Sequence, residues 1–391
     1  TSRRLQVIAL VAVLSIGLAA SAILLTRSNS VAPCTGGPDE LAGVWDSSVR
    51  SRLSDVFGSS ELPYAATIGS TTEEALQQYR GRWLSSYSEA CKATRVRRDQ
   101  STELLDARMQ CLGRRRIELE AAVAELATGS DEVIREAAAM VSAMTPVSSC
   151  DDIEALTSLA PMPDDPTLRT RVDELRTQLA ACRAMQDAAK YKEAEACALE
   201  LTTASDELGY PPVQAELGLV LGKSRSRLNK WDEASIALEE SVLAAERGRH
   251  QRVRVEALTT RVAVAAGGAK FDVGDEQAKH ASAALAGLGD DTRLAGTLAF
   301  HRAVLLFRQG KIKDSMVFIG QSIELREALY GRVHPSIAEA LVLRAVLEAT
   351  SSEFDSAQKT ILRALEIQSA TLGADHPAVG RSHHTLSSVY I

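Results

Sequence analysis

Apolar residues between positions 40 and 160 recur at spacings of three and four, which predicts a series of amphipathic α-helices. Ser130 is placed to cap the last of these helices and Pro146 to end it. The region is therefore expected to be all-α. Its four apolar stripes are Leu41, Trp45, Val49, Leu53 and Val56; Leu76, Tyr79, Trp83, Tyr87 and Ala90; Leu105, Met109, Leu112, Leu119, Val123 and Leu126; and Val133, Ile134, Ala137, Val141 and Met144.

A continuous apolar run, Leu5–Leu25, precedes these stripes and contains no charged residue. At about 1.5 Å per residue the run would extend roughly 31 Å, enough to cross the ~30 Å hydrocarbon core of a bilayer. We expect a single transmembrane helix within residues 1–27 and a linker over residues 28–39. The alternatives are a signal peptide cleaved near Ala20-Ser21-Ala22, a lipoprotein anchor at Cys34 and a buried helix of a soluble protein.

The charges that flank this run predict its orientation. Arg3 and Arg4 precede the run and Arg27 follows it, so the positive-inside rule places the N-terminal side in the cytoplasm. Residues after Arg27 are then expected outside the inner or plasma membrane. Because the chain starts at Thr1 and ends at Ile391 inside what reads as an unfinished helix, we also expect it to be part of a longer polypeptide.

The second half of the chain is repetitive. The string Tyr330–Pro335 (YGRVHP) recurs as Leu372–Pro377 (LGADHP), with the histidines 42 residues apart (His334 to His376). Earlier turns read Tyr191-Lys192-Glu193-Ala194 and Trp231-Asp232-Glu233-Ala234, 40 residues apart (Tyr191 to Trp231). Recurrence at this period predicts a repeat architecture.

The two turns resemble the start of the second helix of a tetratricopeptide repeat, and the period resembles that of the long variant in kinesin light chains. The resemblance implies an α-solenoid over residues 168–391. The turns end at Ala194, Ala234, Ser315 and Ala357, and a small residue twelve positions before each would let the paired helices pack closely. These small residues are Cys182, Gly222, Ala303 and Ala345. The expected repeats are Leu168–Leu208, Pro211–Arg247, Gln251–Leu288, Thr292–Tyr330, His334–Leu372 and a truncated sixth from His376 to Ile391.

The third repeat is expected to be degenerate. Gly267-Gly268 falls inside its expected helix, and no aromatic residue leads directly into Asp275-Glu276-Gln277-Ala278. A helical bundle without superhelical stacking is the alternative to the whole array.

Stacked repeats present a concave surface lined by their first helices. The resemblance implies a protein or peptide ligand in this groove, with Lys223, Arg227 and Arg308 facing it and holding an acidic peptide or a C-terminal carboxylate. The alternative is that these three residues are surface charges without a partner. Neither the partner nor the oligomeric state follows from the sequence.

The composition suits closely packed helices, because 45% of the 391 residues are hydrophobic but only 4% are aromatic. A sheet would favour aromatic and β-branched residues in its core. The net charge is −7, with both signs interspersed along the chain. This balance argues against nucleic acid as a partner, which calls for a basic face.

All six cysteines follow the apolar run. Cys182 and Cys197 flank a predicted helical turn near Ala189, and Cys111 and Cys150 flank one near Gly129, so each pair could meet the short Cα separation that a disulfide needs. Cys34 and Cys91 would then pair by elimination. An even cysteine number suits an oxidising compartment, and six buried free thiols are the alternative.

Three strings within Cys34–Asp152 resemble a pattern in one group of bacterial transmembrane serine/threonine kinases. They are Gly43-Val44-Trp45-Asp46, Ala90-Cys91-Lys92-Ala93-Thr94 and Leu104–Leu112 (LLDARMQCL). In that group a cytoplasmic kinase domain is followed by one membrane helix, then by a segment that carries such strings, and then by tetratricopeptide repeats. The resemblance implies that this chain is the sensory part of such a kinase. A free-standing membrane-tethered scaffold is the alternative.

No catalytic residue, cofactor site or metal site is predicted. Gly218–Ser224 (GLVLGKS) is one residue short of a phosphate-binding loop and lies in a predicted helix. The glycine-rich loop, His-Arg-Asp and Asp-Phe-Gly strings of kinases are absent from these residues, and His383-His384 point in different directions on a helix. Trp45 and Trp83 are interpreted as core anchors rather than a ligand site, and Arg114-Arg115-Arg116 as a solvated helix face rather than a phosphate or lipid site.

Overall fold

The computed structural model describes residues 34–289 and 291–389, which form eighteen α-helices and no strand. The predicted membrane helix Leu5–Leu25 lies outside these residues. Among the helices that the structure does describe, none combines the length and the apolar character needed to cross a bilayer.

Six helices form the N-terminal part of the described chain. One apolar core joins them, and it also takes in Ala188 from the segment that follows. A π-helical turn, Ala93–Arg97, follows the third helix, and a 3-10 turn, Val147–Cys150, follows the fifth. The helices are α1 (Gly37–Glu40), α2 (Ser47–Gly58), α3 (Ala65–Lys92), α4 (Thr102–Leu126), α5 (Asp131–Ala143) and α6 (Ile153–Ser158).

Both tryptophans of this core are anchors, as expected. Trp45 and Trp83 are 1% and 2% exposed. The Trp83 indole donates a hydrogen bond to the Leu112 carbonyl oxygen (2.9 Å), and the Trp45 indole donates to the Gln77 amide oxygen (3.3 Å). Because each buried N–H has found an acceptor inside the protein, neither ring is free to form a polar ligand site.

The first predicted stripe is not one continuous helix. Leu41 and Trp45 lie in the turns between α1 and α2, where Gly43 has a φ of 76°. The Asp46 carboxylate caps α2 by accepting hydrogen bonds from the backbone N–H groups of Val49 (3.0 Å) and Gly43 (2.7 Å). Such a cap starts a new helix, which explains the break in a stripe of regular spacing. The predicted cap of α5 at Ser130 is confirmed, since its hydroxyl accepts from Val133 N–H.

Twelve further helices follow, and successive helices of residues 166–389 pack on one another in chain order. With the short helix α9 attached to α8, they alternate between the first and second members of each predicted repeat. They are α7 (Pro166–Asp187), α8 (Tyr191–Glu200), α9 (Thr202–Leu208), α10 (Pro211–Arg227), α11 (Trp231–Arg247), α12 (Gln251–Gly267), α13 (Phe271–Ala286), α14 (Thr292–Arg308), α15 (Ile312–Tyr330), α16 (Pro335–Thr350), α17 (Phe354–Leu372) and α18 (Pro377–Val389).

The third repeat is regular, so the expectation that it would be degenerate is wrong. Gly267 ends α12 and Gly268 caps it, so the glycine pair does not interrupt a helix. The second helix, α13, begins at Phe271, which is the aromatic residue 40 positions after Trp231. Gly274 occupies the place of the turn alanine, where a Cβ would lie only 2.6 Å from a Leu305 methyl carbon.

Small residues bring the paired helices close together, as predicted. A Cβ at Gly222 of α10 would lie 2.4 Å from Cγ of Leu238 in α11. In a later repeat, the Ser315 hydroxyl donates a hydrogen bond to the Ala303 carbonyl oxygen (2.7 Å). Backbones at this separation leave no room for a larger side chain at the position of Gly222.

Candidate functional site

Helices α1–α6 contact the start of the repeat array. The Lys190 ammonium, in the turn after α7, lies 2.6 Å from the Glu125 carboxylate at the end of α4. Further along the interface, the guanidinium of Arg183 in α7 lies 3.7 Å from the carboxylate of Glu118 in α4. Helix α4 therefore packs along the first helix of the array.

The same N-terminal helices also contact the far end of the array, where α17 packs against α3. The Thr71 hydroxyl donates a hydrogen bond to the backbone carbonyl oxygen of Thr371 (3.0 Å). Gly373 follows α17 with a φ of 93°, and a Cβ there would lie 2.8 Å from Cβ of Tyr64. The chain thus turns back on itself, and α1–α6 join the two ends of the array.

The two histidines of the His-Pro strings take part in this closure. The Nδ1 atoms of His334 and His376 cap α16 and α18 by accepting from the N–H groups of Ser336 (3.2 Å) and Ala378 (3.1 Å). On the opposite side of each ring, Nε2 approaches α5: that of His334 lies 3.3 Å from the Ser142 hydroxyl and that of His376 lies 3.3 Å from the Arg135 carbonyl oxygen. The 42-residue recurrence therefore places two equivalent histidines against one helix.

A cavity of about 700 Å³ lies between α1–α6 and the array. Its walls come from α3, α4 and α5 on one side and from α7, α10, α12 and α14 on the other. The inner surface of the repeats, where an open groove was expected, therefore faces helices of the same chain.

Charged side chains dominate the walls of this cavity. Eight arginines and Lys223 line it, against six carboxylates. Four of those carboxylates already form ion pairs with cavity side chains: Glu118 with Arg115 and Arg183, Glu216 with Arg176, Glu256 with Lys223 and Arg183, and Asp291 with Arg252.

Four of the eight cavity arginines are not among these ion pairs, and two of those four are exposed. Arg114 of α4 and Arg293 of α14 are partly buried, and no carboxylate of residues 34–289 or 291–389 lies within ion-pair distance of either. Burial and the adjacent guanidiniums of Arg176 and Arg115 lower the pKa of Arg114 to about 10. Burial and the charge of Arg293 likewise lower the pKa of Arg252. The arginines of the cavity therefore repel one another.

The three predicted groove residues separate in the structure. Lys223 lines the cavity, where its ammonium pairs with Glu256. Arg227 and Arg308 are exposed and lie outside the cavity; Arg227 stacks over the Tyr191 ring at 6.0 Å, and Arg308 donates to the Gly267 carbonyl oxygen (3.2 Å).

Arg114 and Arg115, interpreted from the sequence as part of a solvated helix face, instead point into the cavity wall. That interpretation is wrong for these two residues, because α4 packs against α7 on the side that carries them. Only Arg116 forms an exposed pair along its own helix, with Glu120 (3.3 Å).

The six cysteines lie in the three expected pairs. Cys34–Cys91, Cys111–Cys150 and Cys182–Cys197 are each joined by a disulfide with a Cα separation of 5.5 Å. The first joins the segment before α1 to α3, the second joins α4 to the 3-10 turn after α5, and the third joins α7 to α8. None of the three lies between α1–α6 and the array, so the closure depends on noncovalent contacts alone.

Comparison with known families identifies one segment of the array. A family model for the tetratricopeptide repeat matches residues 301–336. Residues 301–336 form a tetratricopeptide repeat. The match runs from His301 in α14 through α15 to the start of α16, and such repeats generally bind proteins or peptides. No curated protein matches the chain.

Proposed function

We propose that this chain is the membrane-anchored sensory and interaction region of a bacterial transmembrane serine/threonine kinase. The repeat at residues 301–336 supports a role in binding other proteins. The Cys-centred strings between Cys34 and Asp152 support the link to a kinase. The proposed units are the membrane helix within 1–27, the linker 28–39, the membrane-proximal helices over 40–160 and the repeats over 168–391.

The observation that carries this proposal is that α1–α6, which follow the proposed membrane helix in the chain, contact both ends of the array. Any partner that changes the curvature of the array acts on the Thr71–Thr371 and His376–Arg135 contacts. Those contacts belong to the helices nearest the membrane. A binding event on the repeats is in this way transmitted to the segment that enters the bilayer.

We also propose that residues after Arg27 are extracytoplasmic. The three disulfides support this location, because cytosolic proteins rarely keep such bonds. Alkaline phosphatase fused after Asp39 should be active in a bacterial host, since the enzyme needs an oxidising compartment to fold. An inactive phosphatase together with a fluorescent green fluorescent protein fusion at the same position would contradict this topology.

The link to a kinase is tested on the reading frame upstream of Thr1 and on the native protein. The upstream frame should encode a glycine-rich loop, an H-R-D-type catalytic loop and a D-F-G string. Native protein captured with an antibody against residues 168–391 should incorporate phosphate from labelled ATP into serine or threonine. A start codon directly before Thr1 would contradict the proposal and leave a free-standing membrane-tethered scaffold.

A further inference from the structure

We propose that the cavity between α1–α6 and the repeat array is a binding site for a small polyvalent anion that carries carboxylate or phosphate groups. This goes beyond the proposed function and requires neither a kinase domain nor a membrane. The first reason is charge: nine cationic side chains line the cavity against six carboxylates. Four of those carboxylates are already paired, while Arg114 and Arg293 have no described ion-pair partner.

Hydrogen-bonding capacity is the second reason. Arg176 is 6% exposed and lines the cavity, yet its Nε and Nη2 donors have no hydrogen-bond partner among the described residues. Nη2 lies 3.5 Å from the Glu216 carboxylate, which is an ion pair without a hydrogen bond. The same two atoms of Arg252 and of Arg293 are also buried without a hydrogen bond. Buried guanidinium donors normally find acceptors, and an anion would supply them.

The third reason is the arrangement of these arginines. Arg114 comes from α4, Arg176 from α7, Arg252 from α12 and Arg293 from α14, so the guanidiniums converge from separate helices. Planar guanidiniums bind carboxylate and phosphate through two parallel hydrogen bonds. Several of them around one cavity favour a ligand with more than one anionic group.

The size of the cavity favours a small molecule over a protein segment. Its volume of about 700 Å³ lies within the range of roughly 300–1,000 Å³ that holds small-molecule ligands. Apolar side chains such as Leu219, Val253 and Leu329 also line it. An organic anion could contact these side chains while its charged groups face the arginines.

Binding in this cavity would favour the closed arrangement of the chain. The anion would contact Arg114 on the N-terminal side and Arg176, Arg252 and Arg293 on the repeat side at the same time. Because the cavity brings like charges together, ligand binding would relieve repulsion as well as add contacts. The closed form would therefore bind the anion more tightly than an open form, and the anion would stabilise closure.

The test uses the full 391-residue chain in an uncharged detergent, with citrate and tripolyphosphate as probes at constant ionic strength. Isothermal titration calorimetry should show that one of the two probes binds saturably, with one molecule bound per chain. The probe that binds more tightly distinguishes a carboxylate ligand from a phosphate ligand. Arg114→Gln and Arg293→Gln should each weaken binding by about tenfold or more, since each removes a charged hydrogen-bond donor. Arg247→Gln, on the exposed side of α11, is the matched control and should bind as the wild type does.

A stability measurement separates loss of the site from loss of the fold. Without an anion, Arg293→Gln should melt at the same temperature as the wild type or higher, because an unpaired buried charge has been removed. With the preferred probe, the wild type should gain thermal stability and Arg293→Gln should not. The proposal is overturned if neither probe binds saturably, or if both arginine variants bind the preferred probe as tightly as the wild type does. It is also overturned if an acidic peptide such as tri-glutamate binds while neither citrate nor tripolyphosphate binds.

Discussion

The Thr71 hydroxyl donates a hydrogen bond to the carbonyl oxygen of Thr371, 3.0 Å away and 300 residues further along the chain. This bond lies where α3 meets the end of α17. Together with the His334–Ser142 and His376–Arg135 contacts, it holds the last repeats against the helices that precede the array. The array is thereby kept in a closed form with a cavity inside.

The closure can be opened selectively at Gly373. Gly331 and Gly373 occupy the same position in successive repeats and both have positive φ, but only Gly373 has a neighbour, Tyr64, within 4 Å of its missing Cβ. Alanine at either position should cost about 1–3 kcal/mol of folding free energy through backbone strain. Gly373→Ala should in addition push Tyr64 away.

Hydrogen–deuterium exchange distinguishes these two effects. Amides at the start of α3 should lose protection in Gly373→Ala and keep it in Gly331→Ala. Equal protection of α3 in the two variants would show that the contact between Gly373 and Tyr64 does not hold the closure.

The close helix packing of the repeats predicts opposite effects for two glycines. Gly222→Ala should lower the free energy of unfolding by about 1–3 kcal/mol, because its Cβ would lie 2.4 Å from Cγ of Leu238. Gly320→Ala should raise it by roughly 0.5–1 kcal/mol, since this glycine lies within α15 with open space beside it. Thermal denaturation measures both, and a stabilised Gly222→Ala variant would contradict the described packing.

The closure should weaken in mild acid. Burial, followed by the charge of Arg326, lowers the pKa of His334 from 6.5 to about 4, and burial also lowers the pKa of His376 beside Arg135 and Arg381. Between pH 6.5 and pH 4, the His334 ring is therefore protonated to a greater extent in the unfolded chain than in the folded chain. Stability at these two positions is therefore lost as the pH falls below about 6.5.

The matched variants for this prediction are asparagine substitutions. The double variant His334→Asn, His376→Asn keeps side chains able to cap α16 and α18 but removes the titration. Its melting temperature should fall less between pH 7 and pH 5 than that of the wild type. His280→Asn, at an exposed position of α13, should leave the pH dependence unchanged. Asp187 has the opposite effect on the pH dependence of stability. Because burial raises its pKa to about 6, this group adds stability as the pH falls.

The bond between Cys182 and Cys197 should stabilise the first repeat. Its sequence separation is 15 residues, for which loop-closure entropy predicts about 3 kcal/mol. The double variant Cys182→Ala, Cys197→Ala should lose up to that amount in chemical denaturation. In the presence of a reductant the variant and the wild type should become nearly equal; a difference that persists unchanged would mean that the bond is not what stabilises this region.

Local patterns predicted most of the helices. Ser130 caps α5 as expected, and Tyr191, Trp231 and Phe354 each begin a second helix of a repeat. The third repeat departs from the pattern because Gly274 replaces the alanine that marks the turn in earlier repeats. The interval of 40 residues from Trp231 to Phe271 was the signal that would have placed α13 correctly.

The cavity could not be predicted in the same way. Contacts such as Thr71–Thr371 join residues so far apart that they leave no periodic pattern in the sequence. Arg114 and Arg115 lie beside each other on α4, and a charged cluster on a helix is usually solvated. Only the packing of α4 against α7 turns them inward, and that depends on the path of the whole chain.

Photo-crosslinking from Tyr64 tests the closed arrangement most directly. The Tyr64 ring lies 4.9 Å from the His376 ring, and p-azidophenylalanine at position 64 would keep an aromatic ring there. On illumination of the full chain, mass spectrometry should find this residue joined within one molecule to the peptide that contains Gly373 and His376. Crosslinks confined to residues 37–160, with none to the end of α17 or the start of α18, would contradict the closure of the array by α1–α6.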